Sequence, residues 1–193
     1  MKTKVVVVKT MEDFEKIRVI RGEARIIVIL ANSIDCKGNE FLPLIKPDVS
    51  IIMYGNGNTI SNVVINEMGH EKVGIFGEVR NLYVRGVNLM NITVSGNKEV
   101  GALAGDVIEK TDLKNVNVKS KVSGYQFIGG VVGTTDEFRI ADSSIESEVS
   151  SMDIEGNIVS FCSTYHEIGN VEVKDSKKID ERCGFSLKRI KDN

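Results

Sequence analysis

The feature that most restricts this chain's fold is a glycine pair recurring at almost constant distance. Val73-Gly74-Ile75-Phe76-Gly77 is followed by Val100-Gly101-Ala102-Leu103-Ala104-Gly105, then by Ile128-Gly129-Gly130-Val131-Val132-Gly133. The steps from Val73 to Val100 and from Val100 to Ile128 are 27 and 28 residues. A period in that range belongs to stacked repeats, in which each unit buries its apolar face only against its neighbours. A second element, apolar-x-Asn ahead of an apolar strand, appears at Ile60-Ser61-Asn62, Val79-Arg80-Asn81 and Leu113-Lys114-Asn115, and again at Ile140-Ala141-Asp142 and Ile168-Gly169-Asn170. Asn115, Asp142 and Asn170 are also 27 and 28 residues apart. Two features sharing one period fix which residues are vertical neighbours. Gly156-Asn157-Ile158-Val159-Ser160 reads as a degenerate fourth copy.

Between these points the chain runs in short alternating segments rich in Val and Ile, which favour strands. Val116, Val118 and Val122 have counterparts at Ile145 and Val149 one period on. Such strands are too short to bury a face in a hairpin. Stacked at ~4.8 Å on the equivalent strand of the next turn, they share one core. Stacked Asn amides at a repeated corner would also hydrogen-bond along the axis. The expected fold is all-β, a right-handed parallel β-helix (solenoid) over residues 23–175, of about 4–5 turns.

Residues 1–22 read as an N-terminal strand and capping helix. Val5 to Val8 is the strand; Thr10 is an N-cap, with Asp13 in the N3 position of a variant capping box. Phe14, Ile17 and Arg18 then form a short amphipathic helix ending before Gly22. Ala24–Leu30, Val49–Tyr54 and Thr59–Ile65 are expected strands, with Pro43 and Pro47 bracketing a loop. Residues 176–193 carry six Lys or Arg against Asp180, Glu181 and Asp192. With Cys183-Gly184-Phe185-Ser186-Leu187 they read as a C-terminal cap or tail over the last turn.

The hexads Val100 to Gly105 and Ile128 to Gly133, with Val73 to Gly77 one residue short, resemble the GLUG-type repeat family. The turn Tyr54-Gly55-Asn56-Gly57-Asn58-Thr59-Ile60 is similar to the one that often precedes such repeats, so the resemblance covers about residues 10–175. It implies a parallel β-helix of the kind found in secreted or surface-displayed bacterial proteins with adhesin-like roles. Unlike those proteins, this sequence shows three recognisable repeats, no anchoring domain and no signal peptide. Met1-Lys2-Thr3-Lys4 has the charge of a signal n-region, but Val5 to Val8 falls short of the ~7–15 apolar residues an h-region needs. No run reaches the ~20 apolar residues of a membrane span. The expected location is therefore cytoplasmic, with no membrane partner.

Little in the sequence points to catalysis. Cys36, Cys162 and Cys183 have no metal-type spacing and read as reduced, partly buried small hydrophobes. His70 and His166 are far apart, without a ligand-spaced neighbour, so no metal, cofactor or triad is expected. The glycines are strand residues and do not form a phosphate-cradling loop. Glu78 and Asp106 each follow the last glycine of a hexad, with Thr134 in that place on the next turn. Two stacked carboxylates are what a polysaccharide-active enzyme uses; the simpler reading puts them at solvated corners.

Surface charge is more informative. By the period, Lys119, Glu146 and Lys174 fall in register, as do Lys121, Glu148 and Ser176, so unlike charges alternate up one face and favour correct stacking. The stretch from Thr134 to Ser160 holds Asp136, Glu137, Asp142, Glu146, Glu148, Asp153 and Glu155 against Arg139 alone. Although the whole chain is only −2, this flank is the expected binding site. The function it suggests is non-catalytic intracellular protein binding, such as a phage or mobile-element inhibitor of a host nucleoprotein complex. The partner would be a basic nucleic-acid-binding protein docked through a DNA-mimicking face, not nucleic acid itself. The alternative is a surface adhesin or carbohydrate-binding module in which Tyr125 and Phe127 stack on a sugar.

Overall fold

The structure, a computed structural model, describes residues 2–175; the expected cap at 176–193 lies outside them. In chain order the elements are β1 (Thr3–Val8), α1 (Met11–Val19), β2 (Arg25–Leu30), β3 (Ile34–Asp35), β4 (Leu44–Tyr54), β5 (Thr59–Ser61) and β6 (Val64–Val73). They continue as β7 (Phe76–Gly101), β8 (Ala104–Ser123), β9 (Gln126–Gly129), β10 (Val132–Ser150), β11 (Glu155–Gly156) and β12 (Val159–Asp175). One sheet runs β1-β2-β4-β7-β8-β10-β12, and these successive neighbours pair in parallel. Parallel neighbours that are also successive along the chain describe a coil. It is a β-solenoid of about five turns, with one short helix at the N-terminus.

The register follows the sequence period. Phe76 pairs with Ala104, Ala104 with Val132, and Val132 with Val159. Val118 pairs with Ile145 and Val122 with Val149, as the spacing predicts. Inward columns such as Val84–Leu113–Ile140 and Leu89–Val118–Ile145 are buried throughout. Four polar side chains in the core form two pairs: Thr111 Oγ1 donates to Thr135 Oγ1 at 3.1 Å, and the Ser120 and Ser147 hydroxyls lie 3.0 Å apart.

The hexad glycines are where backbone meets backbone. A Cβ added to Gly105 would lie 2.6 Å from the Glu99 carbonyl oxygen, and one on Gly133 would lie 2.7 Å from the Val100 nitrogen. No L side chain fits without moving a neighbouring turn. The corner residues follow a different rule. Gly86, Asn115, Asp142 and Asn170 occupy one column and all have positive φ, at 62°, 53°, 50° and 50°. Glycine enters this region freely, and Asn and Asp more readily than other L residues. Amide stacking adds to this only in places, as where Asn170 Nδ2 donates to Asp142 Oδ1 at 2.9 Å. Asn81 is not a corner residue: it lies in β7 opposite Ser50 and Lys110.

At the N-terminus the Thr10 hydroxyl accepts from the Asp13 N–H at 3.4 Å, and Asp13 Oδ2 accepts from Lys9 N–H at 3.0 Å. The buried side chains of α1 are Phe14 and Ile17, and Phe14 meets Phe41 and Phe76 at ring distances of 6.0 and 6.1 Å. The helix thus covers the open end of the core. The expected loop between Pro43 and Pro47 is instead the beginning of β4, whose pairing slips between Lys46 and Ser50. Proline, lacking an N–H, fits at such an irregularity. The continuous apolar runs of the first strands place Val5, Ile27 and Ile52 in one outward column and Val7, Ile29 and Tyr54 in the next.

Two glycine substitutions separate these roles. Gly105→Ala should cost more than ~2 kcal/mol, because the obstruction is backbone and not a movable side chain. Gly86→Asn puts the residue type of the next turn into a left-handed site with nothing closer than 3.7 Å, and should change stability by less than ~0.5 kcal/mol. Urea unfolding of both variants measures the contrast.

Candidate functional site

The most concentrated outward chemistry stands beside the hexads, in two adjacent columns. One comprises Glu78, Asp106, Thr134 and Phe161, paired rung to rung. The other is Lys72, Glu99 and Phe127, each immediately before a hexad. All three have positive φ, at 60°, 55° and 57°, which costs an ordinary L residue ~1–2 kcal/mol. The backbone turns sharply here to enter each hexad, and the strain is repeated at these three successive turns.

The Lys72 ammonium lies between the two carboxylates that the sequence singled out. It bonds Glu78 and stands 3.3 Å from Asp106 Oδ2. Burial alone would lower its pKa, and the bonds to Glu78 and Asp106 overcome this and hold it raised. Thr134 Oγ1 donates to Asp106 Oδ1 at 2.8 Å. Glu78 and Asp106 are therefore not at solvated corners; each side chain is only 18% exposed and lies in a strand. Glu99, missed in the sequence reading, completes the group. Burial first, and the charge of Asp106 second, push its carboxyl pKa up, against Lys98 and Lys72. Its Oε2 is buried and has no hydrogen-bond partner. One turn further on, Phe127 packs against Phe161 at 5.8 Å, with Lys98 Nζ 5.8 Å from the Phe127 ring centre. Glycoside hydrolysis needs one carboxyl as acid and another free as base or nucleophile. Here a single lysine holds both Glu78 and Asp106. Among the described residues no group of His, Cys, Asp and Glu is arranged to hold a metal ion.

The acids of the 134–160 stretch do not share one face, and most are matched to bases of the turn below. Glu137 lies 3.5 Å from Lys110, Asp142 3.6 Å from Lys114, Glu146 2.7 Å from Lys119, and Glu148 3.1 Å from Lys121. The hydrogen bond from Lys119 holds the Glu146 carboxyl below its usual range. Asp136 accepts from the Ser163 hydroxyl, Asp153 from Gln126 at 2.7 Å, and Glu155 from the Ser151 N–H at 3.0 Å. A local excess in sequence thus becomes a largely neutralised surface in space. The Lys119–Glu146 and Lys121–Glu148 rungs, with Thr93, line a shallow groove of about 120 Å³, below the ~300 Å³ usual for a small-molecule site. Ser176 falls outside the described residues.

Tyr125 is 57% exposed, and among the described residues the ring partner of Phe127 is Phe161, not Tyr125. His70 is exposed and lies 2.6 Å from Glu67. Cys36 and Cys162 are buried free thiols; burial raises both, Cys36 to about 11, so neither is poised as a thiolate. Among the described residues no helix is long and apolar enough to cross a membrane.

Comparison with known proteins gives partial matches. Halomucin of Haloquadratum walsbyi is 40% identical over 83 residues, which is 42% of this chain and 1% of halomucin. The immunoglobulin A1 protease of Streptococcus pneumoniae is 28% identical over 78 residues, and that of Streptococcus sanguinis 30% over 78, each 40% of this chain and 4% of the protease. The chain therefore spans a very small part of the relatives it matches. These matches and the solenoid fit a β-helix repeat family. No protein-family model matches the chain, so the GLUG resemblance rests on the hexads themselves. No solved structure matches it.

Glu99 offers a test by linkage. A carboxyl whose folded pKa lies above its unfolded value favours the fold at low pH, and that contribution is lost as pH rises through the folded pKa. Glu99→Gln should therefore be more stable than the parent at pH 7, with the advantage disappearing as pH falls below the ordinary value of 4.5. Unfolding curves of both proteins across that range measure it.

Proposed function

We propose that this chain is a non-catalytic, adhesin-like β-solenoid segment that works outside the cell by presenting its lateral faces to partners. The observation that carries this reading is the kind of protein in which its sequence recurs. The matched stretches fill 1% and 4% of their relatives, as a module set within very long chains would. One relative has mucin in its name, and the others are named for a protease of immunoglobulin A1, an antibody met outside cells. The geometry is consistent with presentation rather than turnover: Lys72 occupies both stacked carboxylates, and charge pairs tie each turn to the next.

The intracellular inhibitor reading depended on an uncompensated acidic face. Lys110, Lys114, Lys119 and Lys121 remove that ground, and the cytoplasmic location expected with it gives way here to an external one. Antibodies against the chain, applied to the cells that make it, test the reading. Labelling of intact cells that is abolished by external protease is the expected result. Labelling only after permeabilisation would overturn it.

A further inference from the structure

We infer that the upper end of the hexad wall is a platform for a neutral glycan, stacked on Phe127 and Phe161. This rests on the extracellular reading above and adds to it a ligand class and the residues that meet it. Both aromatic residues occupy positions where local physics favours something else. Phe161 continues a column that is Glu78, Asp106 and Thr134 on the lower turns, and the phenylalanine remains 43% exposed. Phe127 has φ of 57°, a conformation in which a bulky residue is an outlier and Gly or Asn is ordinary. This same chain uses Gly86 and Asn115 in such a conformation at its other corners. The inward positions beside the two rings are already filled, by Ile128 next to Phe127 and by Cys162 next to Phe161. Sites that break local rules without an evident packing gain are where function is expected.

The two rings lie 5.8 Å apart and are tilted by 56°, forming a bent apolar surface instead of a stack that hides both faces. One turn below, ~4.8 Å along the axis, the surface becomes polar. The Thr134 hydroxyl, donating to Asp106, keeps its lone pairs available, and the Asp106 and Glu78 carboxylates follow it down the same column. A pyranose matches both halves: its C–H face stacks on aromatic rings, and its hydroxyls donate to and accept from the polar row. Charge selects among sugars. Lys72 and Lys98 stand against Glu78, Glu99 and Asp106 and are paired with them. Among the described residues of this wall, neither lysine is left over for a sulfate, a phosphate or a sialic acid.

An array bearing uncharged hexose and N-acetylhexosamine oligosaccharides beside sulfated and sialylated ones tests the inference, with titration of the best ligand against variants. Binding should be confined to uncharged glycans. Phe161→Ala should weaken it ~2–10-fold, on the scale of lost aromatic stacking, while the variant still unfolds in one cooperative transition. Phe161→Tyr, which keeps a ring, should retain it. A silent array, binding confined to charged glycans, or full affinity in Phe161→Ala would each overturn the proposal. A silent array with the chain labelled on intact cells would sink only the glycan; labelling solely after permeabilisation would sink the extracellular reading.

Discussion

Everything in this structure depends on the parallel pairing of each strand with its equivalent one turn away. That pairing demands that the same backbone path repeat at ~4.8 Å, and the chain meets the demand with residues chosen for backbone shape. At the hexads, Gly105 and Gly133 let neighbouring backbone pass where a Cβ would collide. At the corners, Gly86, Asn115, Asp142 and Asn170 supply a left-handed turn. Side-chain columns then become consequences: once the path repeats, like stacks on like inside the coil, and unlike charges meet outside it.

The outer charges show how that geometry changes the meaning of a sequence. Along the chain, residues 134–160 look acidic. Coiled, their carboxylates lie beside lysines that come 27 or 28 residues earlier, at Lys110, Lys114, Lys119 and Lys121. Exposed pairs of this kind contribute little stability singly. Their larger effect is on register, since a slip of one residue would turn every outward charge toward the core.

Much of this was legible beforehand because the period is carried by residues with a single structural purpose. The coil and the Lys119–Glu146 rung followed from counting, and the N-terminal helix from its Thr10 cap. What failed did so for local reasons. Asn81 matched the corner pattern in letters, but its turn uses Gly86 as the left-handed residue. Pro47 looked like a loop residue and lies in a strand at a slip in pairing. Glu99 and Lys72 were not singled out, although they too are 27 residues apart and each precedes a hexad. Their importance comes from facing Glu78 and Asp106 across a backbone turn, which a one-dimensional pattern does not show.

The central claim is that vertical neighbours are set by this period, and cross-linking tests it most directly. With Cys36, Cys162 and Cys183 replaced by Ser, a protein carrying Lys119→Cys and Glu146→Cys places two thiols on adjacent strands in register. The expected Cα separation of ~4.8 Å lies within the ~4.4–6.8 Å that a disulfide tolerates. A companion with Lys119→Cys and Glu148→Cys is slipped by two residues and stands about 8 Å apart. Mild oxidation of the monomer should close the first pair almost completely and leave the second as free thiols. Closure of the slipped pair, or of neither, would contradict the coil described here.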